Sequence, residues 1–78
     1  MNKFSLRGSV VGYGVTKGKE WIDLSTPDGD ITVYLEDLYL KDIVDGKLDN
    51  TYLEVSGYLK SYTYMDEVLA IATKVEVL

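Results

Sequence analysis

The chain has no cysteine, no histidine and a single proline among its 78 residues. Without cysteine it can form no disulfide framework and offers no thiol nucleophile. Without cysteine or histidine it can build no zinc site on those ligands and no Ser-His-Asp triad. No apolar run approaches the roughly 20 residues of a membrane-spanning helix. No apolar stretch of signal-peptide length follows Lys3 and Arg7. A cytoplasmic location is therefore expected, and the missing cysteines agree with a reducing compartment.

Catalysis has little to work with. A general base would have to be Asp, Glu, Lys or Tyr, and the acids are scattered over turns and strand edges with no convergent pair. Pro27-Asp28-Gly29-Asp30 lacks the further acids and the late Glu of a calcium loop. The glycine-rich stretch from Gly12 to Glu20 fails as a phosphate-binding P-loop. Tyr13 stands where its first glycine belongs, and Glu20 where its Ser or Thr belongs. The chain reads as a binding protein rather than an enzyme, with no metal and no cofactor expected.

What is present is globular. Hydrophobic residues make up 46% of the chain, too many for a disordered segment. The length allows one domain, residues 1–78, which buries only about 60% of its unfolded surface. The net charge is −5. That balance opposes simple charge-driven binding to nucleic acid. It is unevenly spread, however: residues 1–19 carry +4, residues 20–50 carry −7 and residues 51–78 carry −2.

Apolar residues recur mostly with period two. Phe4, Leu6, Gly8 and Val10 alternate with Ser5, Arg7, Ser9 and Val11, so residues 3–15 read as one long strand. Its glycines, Gly8, Gly12 and Gly14, mark a bulge or bend of the kind a small barrel needs. A turn at Thr16-Lys17-Gly18-Lys19 follows. Two more strands form a hairpin around Asp28-Gly29. With that turn centre Leu24 faces Val33, Ile22 faces Leu35, and Trp21 and Tyr34 become diagonal neighbours on the opposite face. A helix is expected over residues 38–45, capped by Asp37, stopped by Gly46, with Leu40, Ile43, Val44 and Leu48 as its apolar stripe. Leu53-Glu54-Val55-Ser56-Gly57-Tyr58-Leu59 and Leu69 to Val77 then read as two last strands, joined by a loop over residues 61–67.

Three strands, a short helix and two strands describe a five-stranded Greek-key barrel. An SH3-like barrel is the alternative, but it gives no reason for a helix between strands 3 and 4. The chain also resembles the OB-fold nucleic-acid-binding superfamily over residues 3–78. The resemblance rests on the Val55-x-Gly57-x-Leu59 strand, the last apolar strand Leu69–Leu78, and Arg7-Gly8-Ser9-Val10 near the start. It implies an all-β, five-stranded Greek-key OB-fold barrel with one short helix between strands 3 and 4. It also implies a binding face on strands 2 and 3, flanked by the loops after strands 1 and 4.

On that surface the sequence offers Trp21 and Tyr34 on the hairpin, with Tyr13 at the end of strand 1, in phase with Arg7 and Val11. Lys17 and Lys19 lie in the first loop, and Lys60 ends strand 4. Tyr62, Tyr64 and Met65 lie in the loop that follows. Rings that stack on bases, beside cations that track phosphates, suit single-stranded nucleic acid: DNA first, RNA as the alternative. Asp23 sits beside the ring pair and opposes a phosphate-bearing ligand. The competing reading is a protein-interaction module, an accessory OB subunit of a larger replication or recombination protein anchored through Tyr62, Tyr64 and Met65. Exposed strand edges also favour a homodimer, and sugar binding is a more distant option.

Overall fold

The computed structural model describes residues 2–43, 46–62 and 67–78. Five strands and one helical turn follow in the order β1 Lys3–Thr16, β2 Lys19–Thr26, β3 Gly29–Leu35, α1 Leu40–Ile43, β4 Tyr52–Tyr62 and β5 Glu67–Val77. They close into a barrel with spatial order β1-β2-β3-β5-β4. The β3–β5 contact is parallel and the other four pairings among the described residues are antiparallel. β1 serves two partners: residues 3–9 pair with β4 and residues 9–16 with β2.

Among the described residues the interior is entirely apolar. Val10, Ile22, Leu24, Val33, Leu53 and Val55 are fully buried, joined by Leu35, Leu48, Ala70 and Ala72. Each of the larger side chains contributes about 1.5–3 kcal/mol through removal from water. Phe4, Leu6, Ile31, Leu38, Leu40, Ile43 and Val75 pack partly buried around this core.

Two bulges shape the barrel. In β1 the ladder steps from Val10↔Leu24 to Gly12↔Asp23, leaving Val11 unpaired with β2. An extra residue reverses the alternation of faces beyond it. Tyr13 therefore pairs with buried Ile22 and leaves the face of Arg7, contrary to the sequence expectation. The second bulge lies in β5, where Ser56↔Lys74 is followed by Gly57↔Ala72 and Thr73 is skipped. The simple alternation expected for residues 69–77 breaks there. Ala70 and Ala72 face in, while Leu69 and Ile71 stay only partly buried. A Cβ on Gly57 would lie 1.8 Å from the Ile71 carbonyl oxygen, so the strands can cross this closely only at glycine.

The β2–β3 turn lies one residue earlier than expected. Thr26 pairs with Gly29, so Pro27 and Asp28 are the central residues and the register moves by two. Ile22 faces Val33, Leu24 faces Ile31, and Trp21 faces Tyr34 directly rather than diagonally. Pro27 sets the second turn position and Gly29, at φ 122°, accommodates the fourth. Thr26 Oγ1 fastens the turn, donating to the Gly29 carbonyl at 2.7 Å and accepting from the Asp28 N–H at 3.2 Å. A shift of two keeps every residue on its expected face.

The helix begins at Leu40 rather than 38, and Asp37 does not cap it. Asp37 has φ 56° and lies outside the helix. The cap comes from across the barrel, where Glu20 Oε1 accepts the Leu40 N–H at 2.7 Å. Val44 lies outside the described residues. Gly46, at φ 102°, turns the chain toward buried Leu48.

Gly57→Ala should destabilise the fold by about 2–4 kcal/mol, because the new methyl meets backbone rather than a movable side chain. Urea denaturation measures this as a lower midpoint.

Candidate nucleic-acid interface

One cross-strand row defines the outer surface. Gly14 of β1 lies opposite Trp21 of β2, Trp21 opposite Tyr34 of β3, Tyr34 beside Ile71 of β5, and Ile71 opposite Tyr58 of β4. Paired residues share a face, so these side chains form a continuous aromatic and aliphatic band. From Trp21 to Tyr58 it covers three strand spacings, roughly 14 Å. The glycine makes room for the ring: a Cβ on Gly14 would lie 2.6 Å from the Trp21 ring and displace it. Trp21 lies over that glycine and donates its Nε1–H to Thr16 Oγ1 at 3.0 Å.

A groove of about 450 Å³ runs over the β3–β5–β4 part of the band. Its floor carries Tyr34, Tyr58, Leu69 and Ile71, and its rim carries Thr16, Lys17, Lys19, Lys60, Glu36 and Glu67. Tyr58 OH donates to Glu36 Oε2, linking β4 to the end of β3 across β5. The Glu36 N–H continues that seam by donating to the Ala72 carbonyl at 3.0 Å. The groove thus has flat π and aliphatic surface below, three ammonium groups above and two carboxylates within reach.

The first loop presents two of these cations by a tight hairpin. Thr16 pairs with Lys19, which leaves Lys17 and Gly18 as a two-residue turn with φ values of 51° and 77°. Both central residues in the left-handed region match a type I′ turn, where Asn-Gly is favoured. A lysine there costs about 1 kcal/mol relative to glycine.

The predicted site residues separate into two groups. Tyr34, Lys17, Lys19 and Lys60 converge on the groove, and Trp21 flanks it. Tyr13 does not join them, because the β1 bulge turns it to the other side of the hairpin. Arg7 lies on β1 seven residues from Gly14, roughly 20 Å along the strand. Its Nε donates to Glu54 Oε2 at 2.6 Å, so its charge is engaged. Lys74 is likewise held by Glu76 at 2.9 Å, and the hydrogen bond and charge of that carboxylate raise its pKa. Tyr62 is the last residue of β4, not part of the following loop. Tyr64 and Met65 lie outside the described residues. Asp23 accepts from Thr32 Oγ1 and does not line the groove.

Leu69 and Ile71 also line the groove, as does Tyr58, which the sequence suggests is a surface or packing residue. Their signal lay in the β4–β5 register, which puts Tyr58 against Ile71 and Lys60 against Leu69. Among the described residues no group of acids is arranged to hold a metal ion, and no helix is long and apolar enough to cross a membrane.

The same architecture occurs in solved structures. The chain superposes on a chain of a Replication Protein A heterotrimer bound to ssDNA with a TM-score of 0.74 and 17% identity. The chain has the OB-fold. The OB barrel covers 100% of this chain but only 58% of that Replication Protein A chain. It matches a chain of the S. pombe Stn1-Ten1 complex with a TM-score of 0.74 and 16% identity, over 100% of this chain and 59% of the other. It matches the dimeric N-terminal domain of PriB from Thermoanaerobacter tencongensis with a TM-score of 0.62 and 15% identity, over 99% and 96% of the two chains. The OB barrel thus spans a little over half of the first two chains. No protein-family model and no curated protein matches the sequence.

Lys17→Asn should raise stability by up to about 1 kcal/mol, because asparagine tolerates the left-handed conformation better. Urea denaturation would register a higher midpoint.

Proposed function

We propose that this OB barrel binds single-stranded nucleic acid, DNA foremost, along the groove above Tyr34 and Tyr58. The observation that carries the reading is the convergence of two phenol rings and Ile71 with Lys17, Lys19 and Lys60 in one groove. Bases stack on the rings regardless of sequence, each stack being worth about 1–3 kcal/mol. The lysines follow the phosphates from the rim, and their contribution fades as salt rises. The strained backbone at Lys17 supports the same reading, since a better turn residue would forfeit that cation. Trp21, opposite Tyr34, braces the ring and extends the stacking surface. Asp23, bound to Thr32, is no obstacle in the groove. Glu36 and Glu67 keep affinity moderate and favour a path with bases inward and phosphates toward the lysines. The protein acts by binding and not by catalysis.

A second reading stands beside it. The Replication Protein A and Stn1-Ten1 structures are multi-protein assemblies, which favours a role as an accessory OB subunit of a larger replication protein. The two roles are compatible.

Titration of oligo-dT into the protein, followed by Trp21 emission, should show quenching that weakens with salt. Tyr34→Ala and Tyr58→Ala should each weaken binding about tenfold. Lys17→Asn should weaken binding and lower the salt slope by about 0.7 while leaving the fold at least as stable. No change in emission or affinity at low salt would discard the groove as a nucleic-acid site and leave the subunit reading.

A further inference from the structure

The β1–β2 hairpin has a second face. Beyond the Val11 bulge, Tyr13 and Val15 pair with Ile22 and Glu20 and point away from the Trp21 row. They are 51% and 64% exposed, large values for apolar side chains in a small barrel. They form one wall of a cleft of about 470 Å³ whose other side is built from Leu40, Leu48, Lys41 and Lys47. Glu20 holds the two walls together through the Leu40 N–H, so its carboxylate is already engaged.

The cleft also opens onto unpaired backbone. Residues 50 and 51 run beside β1 only as far as Val10, through Asn50 N–H to the Val10 carbonyl and Val10 N–H to the Thr51 carbonyl, both 2.9 Å. From Val11 to Thr16, β1 has β2 on one side and no strand on the other among the described residues. Alternate N–H and C=O groups of an antiparallel strand point to each side. Half of these groups therefore point away from β2, and of this stretch Tyr13, Gly14 and Val15 line the cleft.

We infer that this cleft docks an extended acidic segment of a partner protein, which adds a strand to β1 and lays alternate apolar side chains against Tyr13, Val15 and Leu40. Three independent features define the occupant. The open strand edge calls for a peptide backbone, whose repeating N–H and C=O groups a nucleic acid lacks. The exposed apolar residues call for apolar side chains on every second position of the incoming strand. Lys41 and Lys47, on the cleft wall, call for acids in the incoming segment even though the chain as a whole is acidic. The cleft is on the opposite face of the hairpin from the groove, so peptide and nucleic acid can bind together.

The test uses the full chain and a fluorescein-labelled synthetic peptide of alternating valine and glutamate, read by anisotropy. Binding to the unaltered protein is expected, weakened about tenfold or more by the pair Lys41→Glu and Lys47→Glu. That pair should instead bind the matching valine-lysine peptide, and its oligo-dT titration should be unchanged, which shows an intact barrel. The valine-glutamate peptide with alternate amides N-methylated should not bind, because it cannot complete the ladder. Absence of binding by the first peptide, equal binding of the methylated peptide, or displacement of the peptide by oligo-dT from this face would each overturn the inference. These outcomes are separable from failure of the groove, which is read by oligo-dT and the tyrosine variants alone.

Discussion

The structure depends on what β1 has to do. One strand must pair with β4 over its first half and with β2 over its second, and the barrel cannot close unless it bends between them. The bend is made by one unpaired residue, Val11, with glycines on either side at positions 8, 12 and 14. At Gly8 a Cβ would approach the Ser25 carbonyl oxygen to 2.5 Å, and at Gly14 it would displace the Trp21 ring. The same bulge that closes the barrel also decides which residues meet. Before it, Val10 is in the core; after it, Gly14 lies under Trp21 and Tyr13 turns to the opposite side.

Electrostatics follow from this geometry more than from net charge. The chain is acidic, yet its first loop holds Lys17 and Lys19 beside Lys60 over an apolar floor. Arg7, part of the same basic N-terminal stretch, is removed from that locus by its position on β1 and by Glu54. A protein of this sign cannot depend on long-range attraction to a polyanion, because its field is weak or repulsive outside the groove. In the binding mode proposed above, stacking would supply the complementary, short-range part of the affinity. The same reasoning gives the reverse face its own character, where Lys41 and Lys47 stand near an open strand edge.

Much of the fold was legible because local signals agreed with one another. Period-two alternation located the strands, and glycine spacing announced the bend. Misreadings arose where a distant group won over a local one. Asp37 looked like a helix cap, but Glu20 from β2 reaches the Leu40 N–H. Asp28-Gly29 looked like the turn centre, but Pro27 and the Thr26 hydroxyl drew the turn back by one residue. Of the site, Tyr34 and the three lysines could be named from alternation and loop position. Tyr58 could not, since its membership rests on pairing with Ile71 from another part of the chain.

By itself the sequence determined the succession of strands along the chain, the core residues of β2 and β4, and the absence of thiol and imidazole chemistry, because these depend on residue type and short-range period. Only the tertiary structure decided which rings and cations share a surface. That decision rests on two single-residue bulges and on the β3–β5 and β4–β5 registers, and a one-residue offset reverses every face beyond it. Such an offset leaves no mark on composition or periodicity until the strands are paired. The β1 bulge moves Tyr13 off the face of Arg7, and the β4–β5 register sets Tyr58 beside Ile71.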